Sequence, residues 1–421
     1  MSHFSKKTFS FFFILTLSTS VFAQTNEKTP LVGVPYVVMV SFDGFRHDYV
    51  EKYNTPNFKE FIKQGAAAEM MLPSFPSKTF PNHYTLVTGL YPGNHGLVDN
   101  TFYDKGRDTF YSIRQREKVE DPYYYGGLPL WQLVQQNGMK SASYFWVGSE
   151  TPIGGQFPNY YHKFDDTVPH KNRVNAVFDW LKLPEAERPH LITIYFSMVD
   201  TQGHEYGPNG QKTKEAVMEA DSLVGMLVEG LKKIDLPVNV ILVADHGMYE
   251  MQNRPAYFIY QDDILAGLSK DDFIFVNNST HANVFVKNKA KEDSIYNVIK
   301  ARESHFKVYK KAEIPAKLHF NEHPRIGDLF FVVEPGYSIY SKEALAKKPE
   351  TRSVWGVHGF DPSITPEMGT IFYAKGPNIK ANIKIPAFDN IHVYPFVAAI
   401  LGITPPKVDG SIKVLEGILK K

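Results

Sequence analysis

Apolar positions fall into two textures along the chain. Val37-Val38-Met39-Val40-Ser41-Phe42 is a short β-branched run that ends in Asp43-Gly44, the form of a buried strand delivering a polar side chain at its carboxyl end. The design recurs where Leu191 through Phe196 leads to Asp200, and where Val238 through Ala244 leads to Asp245-His246-Gly247. Between those two runs, the stretch from Lys212 to Lys233 sets Val217, Leu223, Val224, Leu227, Val228 and Leu231 at helical spacing. Strand, helix, strand predicts an α/β fold with a mainly parallel central sheet and helices on both faces. In open sheets of that kind sites form beyond the carboxyl ends of the strands, so three aspartates are expected along one sheet edge.

From residue 251 to 351 the pattern changes to short alternating stretches, among them His281 to Val286 and Leu329 to Val333, with lysine-rich helical pieces between them. This predicts a smaller inserted α+β subdomain. Gly369 to Lys375 and the helical Tyr394 to Leu401 then read as a return to the main sheet, giving a discontinuous core of residues 30–250 and 352–421. The first residues follow a different logic: Lys6 and Lys7 precede an apolar run from Phe9 to Leu17, and Val21-Phe22-Ala23 has the form of a cleavage site. Residues 1–23 are therefore expected to be a signal peptide, cut after Ala23, leading to a periplasmic or secreted protein. That run is too short to span a bilayer comfortably.

Composition narrows the chemistry. The 421 residues are 43% hydrophobic and 22% charged, enough apolar material for a packed interior, and the net charge of +1 gives no reason to expect a nucleic-acid polymer as partner. Cysteine is absent, so any metal must be held by His, Asp, Glu or hydroxyl groups. Asp200 and His204 stand four apart and can reach one ion if the segment turns. Asp245 and His246 can converge at a strand end because Gly247 frees the backbone. Asp43 and His358, within Gly356-Val357-His358-Gly359, complete six oxygen and nitrogen groups. Six such groups suit two zinc ions with three protein ligands each, leaving positions open for a nucleophile and a substrate. Thr79 lies between Pro76 and Pro81, which are expected to keep it in a stiff loop. Its hydroxyl is a weak nucleophile until a divalent metal lowers its pKa. His83 and His95 are assigned to loop hydrogen bonds, His319 and His323 to a solvated surface, and Lys171-Asn172-Arg173 to the opening of a helix that runs on through Val174 to Leu183.

The stretch from Pro73 to Asn100, with Lys78-Thr79-Phe80-Pro81-Asn82-His83-Tyr84 and Gly89-Leu90-Tyr91-Pro92, resembles the catalytic segment of the nucleotide pyrophosphatase/phosphodiesterases of the alkaline phosphatase superfamily. Asp200 with Gly203, His204, Gly207 and Pro208, then Asp245-His246-Gly247-Met248, then His358-Gly359-Phe360-Asp361, match its other motifs in order. The resemblance spans nearly all of the chain after residue 23 and implies an alkaline-phosphatase-like sandwich. It also implies that Asp43, Thr79, Asp245 and His246 hold one zinc, that Asp200, His204 and His358 hold the other, and that Thr79 attacks phosphorus to give a covalent phosphothreonine. Asn100 matches the residue whose amide faces a non-bridging phosphoryl oxygen. Phe80, next to the nucleophile, is expected either to stack on a nucleobase or to serve as a packing anchor, and Trp146 to Glu150 with Tyr160, Tyr161 and Phe164 resemble the substrate-pocket segment. Two departures stand there: Val147 where relatives commonly have Pro, and Glu150 where they commonly have Asp.

The expected activity is hydrolysis of nucleotide phosphodiester or pyrophosphate bonds with release of a nucleoside monophosphate, the partner being a small-molecule phosphodiester. A phosphomonoesterase and a lipid-headgroup phosphodiesterase on the same metal core are the alternatives. Related monoesterases use a Lys-x-Arg clamp, and reading Lys171 and Arg173 as structural favours diesters. A zinc-stabilised binding module without turnover is disfavoured, because a core of this size needs no metal staple.

Overall fold

The computed structural model describes Met1 and residues 33–347 and 350–420; apart from Met1, the predicted signal peptide lies outside them. Eight strands form the main sheet: β1 (Tyr36–Phe42), β2 (Ala66–Ala68), β3 (Lys140–Tyr144), β4 (Tyr160–His162), β5 (Pro189–Phe196), β6 (Val238–Val243), β7 (Phe372–Lys375) and β8 (Ile383–Ile385). Their order is β8-β2-β7-β6-β1-β5-β3-β4. Only β7 runs against its neighbours, so the sheet is mainly parallel, as the strand and helix alternation predicts. Every residue of β1 and β5 is buried. Layers on both faces leave no solvent side, which is why these strands read as unbroken apolar runs rather than as alternation.

Five helices frame the sheet and its edge: α1 (Thr79–Thr88), α2 (His170–Leu181), α3 (Met198–Tyr206), α4 (Gln211–Leu231) and α5 (Val393–Ile400). On one face of the sheet, Val38, Val40 and Phe42 join Val174 and Val177 of α2 and Val217, Val224 and Leu227 of α4 in one hydrophobic cluster. Period-two side chains on the strand meet period-3.6 side chains on the helices. On the opposite face Ser41 bonds His83 of α1 through its hydroxyl, at 2.8 Å. The expected loop at Thr79 is a helix instead: α1 begins at Thr79, and Pro81 sits in its first turn. Proline is tolerated there because first-turn N–H groups have no intrahelical acceptor to lose.

Within residues 251–351 a second sheet forms from strands Phe273–Asn277, His281–Val286, Leu329–Val333 and Phe306–Lys310, in that spatial order and all antiparallel. Helix Glu292–Lys300 packs Ile295 and Ile299 into a hydrophobic cluster separate from that of the main sheet. The chain enters and leaves this region through an antiparallel pair, Tyr249–Gln252 with Val354–Val357.

Arg325 ties this region to the segment between residues 96 and 124. Its Nε donates to Asp104 at 2.8 Å, and its Nη atoms donate to the carbonyls of Gly96, Tyr123 and Tyr124 at 2.7, 3.0 and 3.2 Å. The same packing corrects the solvated-surface assignment of His323. That ring is half-buried beside Gly96, accepts from the Arg325 backbone N–H at 3.2 Å, and is pushed down to a pKa of about 4 by burial and then by the Arg325 charge. His319 is exposed as expected and stacks on Tyr91. His95 closes a short buried helix and bonds Thr85 and the backbone of Leu97. Replacing Arg325 by Ala leaves the buried Asp104 carboxylate without its cation, so chemical denaturation should show a loss of about 3–5 kcal/mol. Arg325→Lys, which cannot span the same three carbonyls, should recover only part of it.

Candidate active site

Strands β6, β1 and β5 are neighbours, and their register sets Val243 beside Ser41 and Phe42 beside Phe196. The residues that follow them therefore leave the sheet side by side. Asp43 comes directly after β1, Asp245 and His246 come just after β6, and α3, beginning two residues beyond β5, carries Asp200 and His204 one turn apart. The chain after β1 passes so close to α3 that a Cβ on Gly44 would lie 2.9 Å from the Cα of Asp200, and Gly44 has φ +69°, so glycine is required on both counts. His358 arrives from strand Val354–Val357.

These side chains meet. His246 Nε2 lies 3.0 Å from Asp245 Oδ2, 3.4 Å from Asp43 Oδ1 and 3.1 Å from the Thr79 hydroxyl. His204 Nε2 lies 3.4 Å from Asp200 Oδ1 and 3.1 Å from His358 Nε2. The rings of His246 and His358 stack at 3.5 Å, joining the two halves. Asp200, His204 and His358 form one group whose ligand atoms all fall within 4.8 Å of one another, and Asp43, Asp200 and His246 form another. All seven residues predicted as metal ligands therefore converge.

The hydrogen-bond pattern shows what the centre can hold. His246, His204 and His358 each direct Nδ1 at a backbone carbonyl, of Gly247 at 2.9 Å, Gly356 at 2.8 Å and Ser77 at 2.8 Å. A nitrogen facing a carbonyl carries the proton, which leaves each Nε2 lone pair pointing inward. Asp43 and Asp245 spend one oxygen on a donor each, the Tyr195 hydroxyl at 2.6 Å and the Gly44 N–H at 3.2 Å. Asp43 Oδ1, Asp200 Oδ1 and Asp245 Oδ2 are buried with no hydrogen-bond partner among the described residues. A buried nest of acceptors without donors is strongly unfavourable unless cations fill it, so the donor set fits divalent metal. Burial, and after it the charges of Asp245 and Asp200, push the Asp43 carboxyl well above its ordinary pKa.

His83, beside the centre, is also placed differently from the sequence expectation. It lies in α1, not in a loop, fully buried, with Nδ1 3.0 Å from the Thr79 carbonyl and 3.4 Å from Asp245 Oδ2. Its Nε2 meets the Ser41 hydroxyl. With both nitrogens engaged it backs Asp245 from behind. The available signal was its spacing four residues after Thr79, which is one helical turn once the segment is helical.

The pocket residues divide. The Phe80 backbone N–H donates to Asn100 Oδ1 at 2.9 Å. Phe164 is 41% exposed, with its ring near Phe145 and Tyr195. Tyr160 and Tyr161 are engaged elsewhere, on the Glu187 carbonyl and on the Phe157 ring. Trp146 donates its indole N–H to the His83 carbonyl at 3.0 Å. Glu150 is buried, accepts both Nη groups of Arg116 at 2.9 and 2.6 Å, and accepts the Phe164 N–H at 2.9 Å. The Glu in place of Asp thus secures the segment that presents Phe164. Arg173 is buried, donates to the Tyr195 carbonyl at 2.9 Å and lies over the rings of Phe145 and Phe196, so it offers no clamp to a phosphate. An open cleft of about 950 Å³ adjoins the Asp200–His204 side of the centre, lined by Asp200, Thr201, His204, Glu205, Tyr340 and Arg352.

Residues 37–361 match the family described as type I phosphodiesterase / nucleotide pyrophosphatase. Ectonucleotide pyrophosphatase/phosphodiesterase family member 1 of Homo sapiens is 35% identical over 397 residues, covering 92% of this chain and 42% of the relative. A venom phosphodiesterase of Crotalus durissus collilineatus is 35% identical over 408 residues, covering 94% of this chain and 47% of the relative. The chain thus spans less than half the length of these curated relatives. Among solved structures, murine ectonucleotide pyrophosphatase/phosphodiesterase 5, as an inactive variant in complex with AMP, superposes with a TM-score of 0.83 at 29% identity, covering 92% of this chain and 100% of that one. The human counterpart gives 0.83 at 30% identity, with the same coverage. With the strand-end carboxylates, the three imidazoles and the threonine already in register, the chain belongs to the type I phosphodiesterase / nucleotide pyrophosphatase family and has its alkaline-phosphatase-like α/β fold.

Proposed function

We propose that the protein is an exported two-zinc hydrolase that cleaves nucleotide phosphodiester or pyrophosphate bonds and releases a nucleoside monophosphate through a phosphothreonine at Thr79. The observation that carries this reading is the meeting of three unpartnered carboxylate oxygens and three inward Nε2 lone pairs beside the Thr79 hydroxyl. Asp43, Thr79, Asp245 and His246 would hold one ion, and Asp200, His204 and His358 the other. Bound there, the ions supply the charge that lowers the pKa of a hydroxyl or water and offsets the phosphoryl oxygens. Thr79 Oγ1 attacks phosphorus as the P–O bond to the leaving group breaks. Water then displaces Thr79 from the vacated side, so two inversions give retention. Asn100 donates its amide Nδ2 to a non-bridging oxygen, where equatorial charge gathers in the transition state. Phe80 and the exposed Phe164 offer apolar faces to a base.

Several features support the finer points. The AMP bound by the murine relative favours a nucleotide substrate. The engagement of Arg173 with backbone and aromatic rings argues for a diester over a monoester. Export rests on the leader-like sequence and on relatives named as ecto- and venom enzymes; no helix among the described residues is long and apolar enough to cross a membrane. We take residues 30–250 and 352–421 as the catalytic core and 251–351 as the inserted subdomain, bracketed by the antiparallel strand pair.

Three outcomes are expected. Thr79→Ala should keep zinc content and melting temperature while losing on the order of 10³-fold or more in kcat on a nucleoside p-nitrophenyl phosphodiester; near-normal turnover would sink the covalent step. Chelation should abolish hydrolysis before the circular-dichroism signal of the fold is lost, and zinc should restore it. Comparing p-nitrophenyl phosphate with the nucleoside diester should give the higher kcat/KM to the diester, and the reverse order would favour a monoesterase.

A further inference from the structure

Asn100 is held at three points. Its backbone N–H donates to Asp99 Oδ1 at 2.7 Å, its carbonyl accepts from the Ile113 N–H at 3.0 Å, and its side-chain Oδ1 accepts from the Phe80 N–H. Because a backbone N–H can only donate, the last bond fixes which end of the amide is oxygen. The amide Nδ2 is then the one polar atom of Asn100 without a protein partner among the described residues, and its direction is set by the other three bonds.

Asp99 itself is buried, and the residues that hold it come from the second sheet. Its Oδ2 accepts from His281 Nε2, in strand His281–Val286, and from Asn278 Nδ2 at 2.8 Å; Asn278 also donates to the Thr101 carbonyl at 3.1 Å. His281 is fully buried, braced by the rings of Phe75 and Phe330 and by the Thr280 hydroxyl. None of these groups touches the metal-ligand atoms, and phosphoryl transfer to Thr79 uses neither Asp99 nor His281. A buried carboxylate whose two oxygens join a strand of one sheet to the backbone of a residue serving the other is a costly arrangement for packing alone.

We propose that Asp99 and His281 are positioning residues for phosphoryl transfer: His281 fixes Asp99, Asp99 fixes the backbone of Asn100, and the Asn100 amide nitrogen is thereby aimed at the phosphoryl group. This rests on the proposed contact of Asn100 with a non-bridging oxygen. The small sheet then sets the rate of chemistry at the main sheet's edge without supplying a group that touches substrate.

The test crosses two substitutions in the zinc-loaded enzyme, with a nucleoside p-nitrophenyl phosphodiester as substrate. Asp99→Asn keeps shape but turns a donor toward His281 and Asn278. It should lower kcat on the order of 10–100-fold, as a small misplacement of a catalytic group does, with KM and zinc content unchanged. Asn278→Ala removes one bond to Asp99 and one to the Thr101 carbonyl from a half-buried residue and should lower kcat less, with the fold intact; it carries the decision if Asp99→Asn does not fold. In an Asn100→Ala background neither substitution should slow the enzyme further. Equal slowing with and without Asn100 would overturn the positioning role. If Asn100→Ala alone left kcat at the wild-type value, the phosphoryl contact assigned to Asn100 would fall, and with it the premise of this inference, while the role of Thr79 would stand on its own test.

Discussion

The constraint on which the structure turns is repulsion. Three adjacent parallel strands, or the helix that one of them feeds, end in carboxylates, and those carboxylates share a buried space with three imidazoles whose protons all point outward. Among the described residues no donor reaches the three inward oxygens. The main sheet, packed against helices through one apolar cluster and buried on its other face as well, holds that concentration of lone pairs at its edge. The fold's stability is thus set against the charge at its edge, a conflict that divalent cations held among these acceptors would resolve.

Around that centre the supporting groups show a consistent division of labour. Backbone carbonyls of Gly247, Gly356 and Ser77 set the imidazole tautomers, and Tyr195 and Gly44 take up the outward oxygens of Asp43 and Asp245. Outer partners of this kind decide ring orientation and ligand basicity. Farther out, the Glu150–Arg116 pair carries Phe164, and Arg325 joins the second-sheet region to the segment between residues 96 and 124 through a buried ion pair and three carbonyls.

Much of this was legible in the sequence because parallel strands buried on both faces are written as apolar runs and their ends as polar residues. Asp43, Asp200 and Asp245 announced themselves that way, and the four-residue step from Asp200 to His204 became one turn of α3. The helix at Thr79 was not legible, since prolines in a first turn look the same in a string of letters as prolines that break a helix. His83 was lost with it. The Asp99–His281 contact had no local signal at all: Asp99 lies in a loop and His281 in a strand of the second sheet, far apart in sequence, and only tertiary pairing brings them together. The role of Glu150 was hidden for a related reason, because Arg116 meets it from a distant stretch of chain.

His358 lies far along the polypeptide from Asp43 and arrives only after the second sheet has been threaded. It docks by bonding the carbonyl of Ser77, next to the lysine that precedes Thr79, and Lys78 Nζ returns a bond to the carbonyl of His358. A nascent chain that ends short of His358 therefore possesses the threonine and every other acidic and imidazole group of the centre, but lacks the ring that stacks on His246 and meets His204. The last imidazole of the centre is thus contributed by the final quarter of the chain and locked onto the segment that carries the threonine.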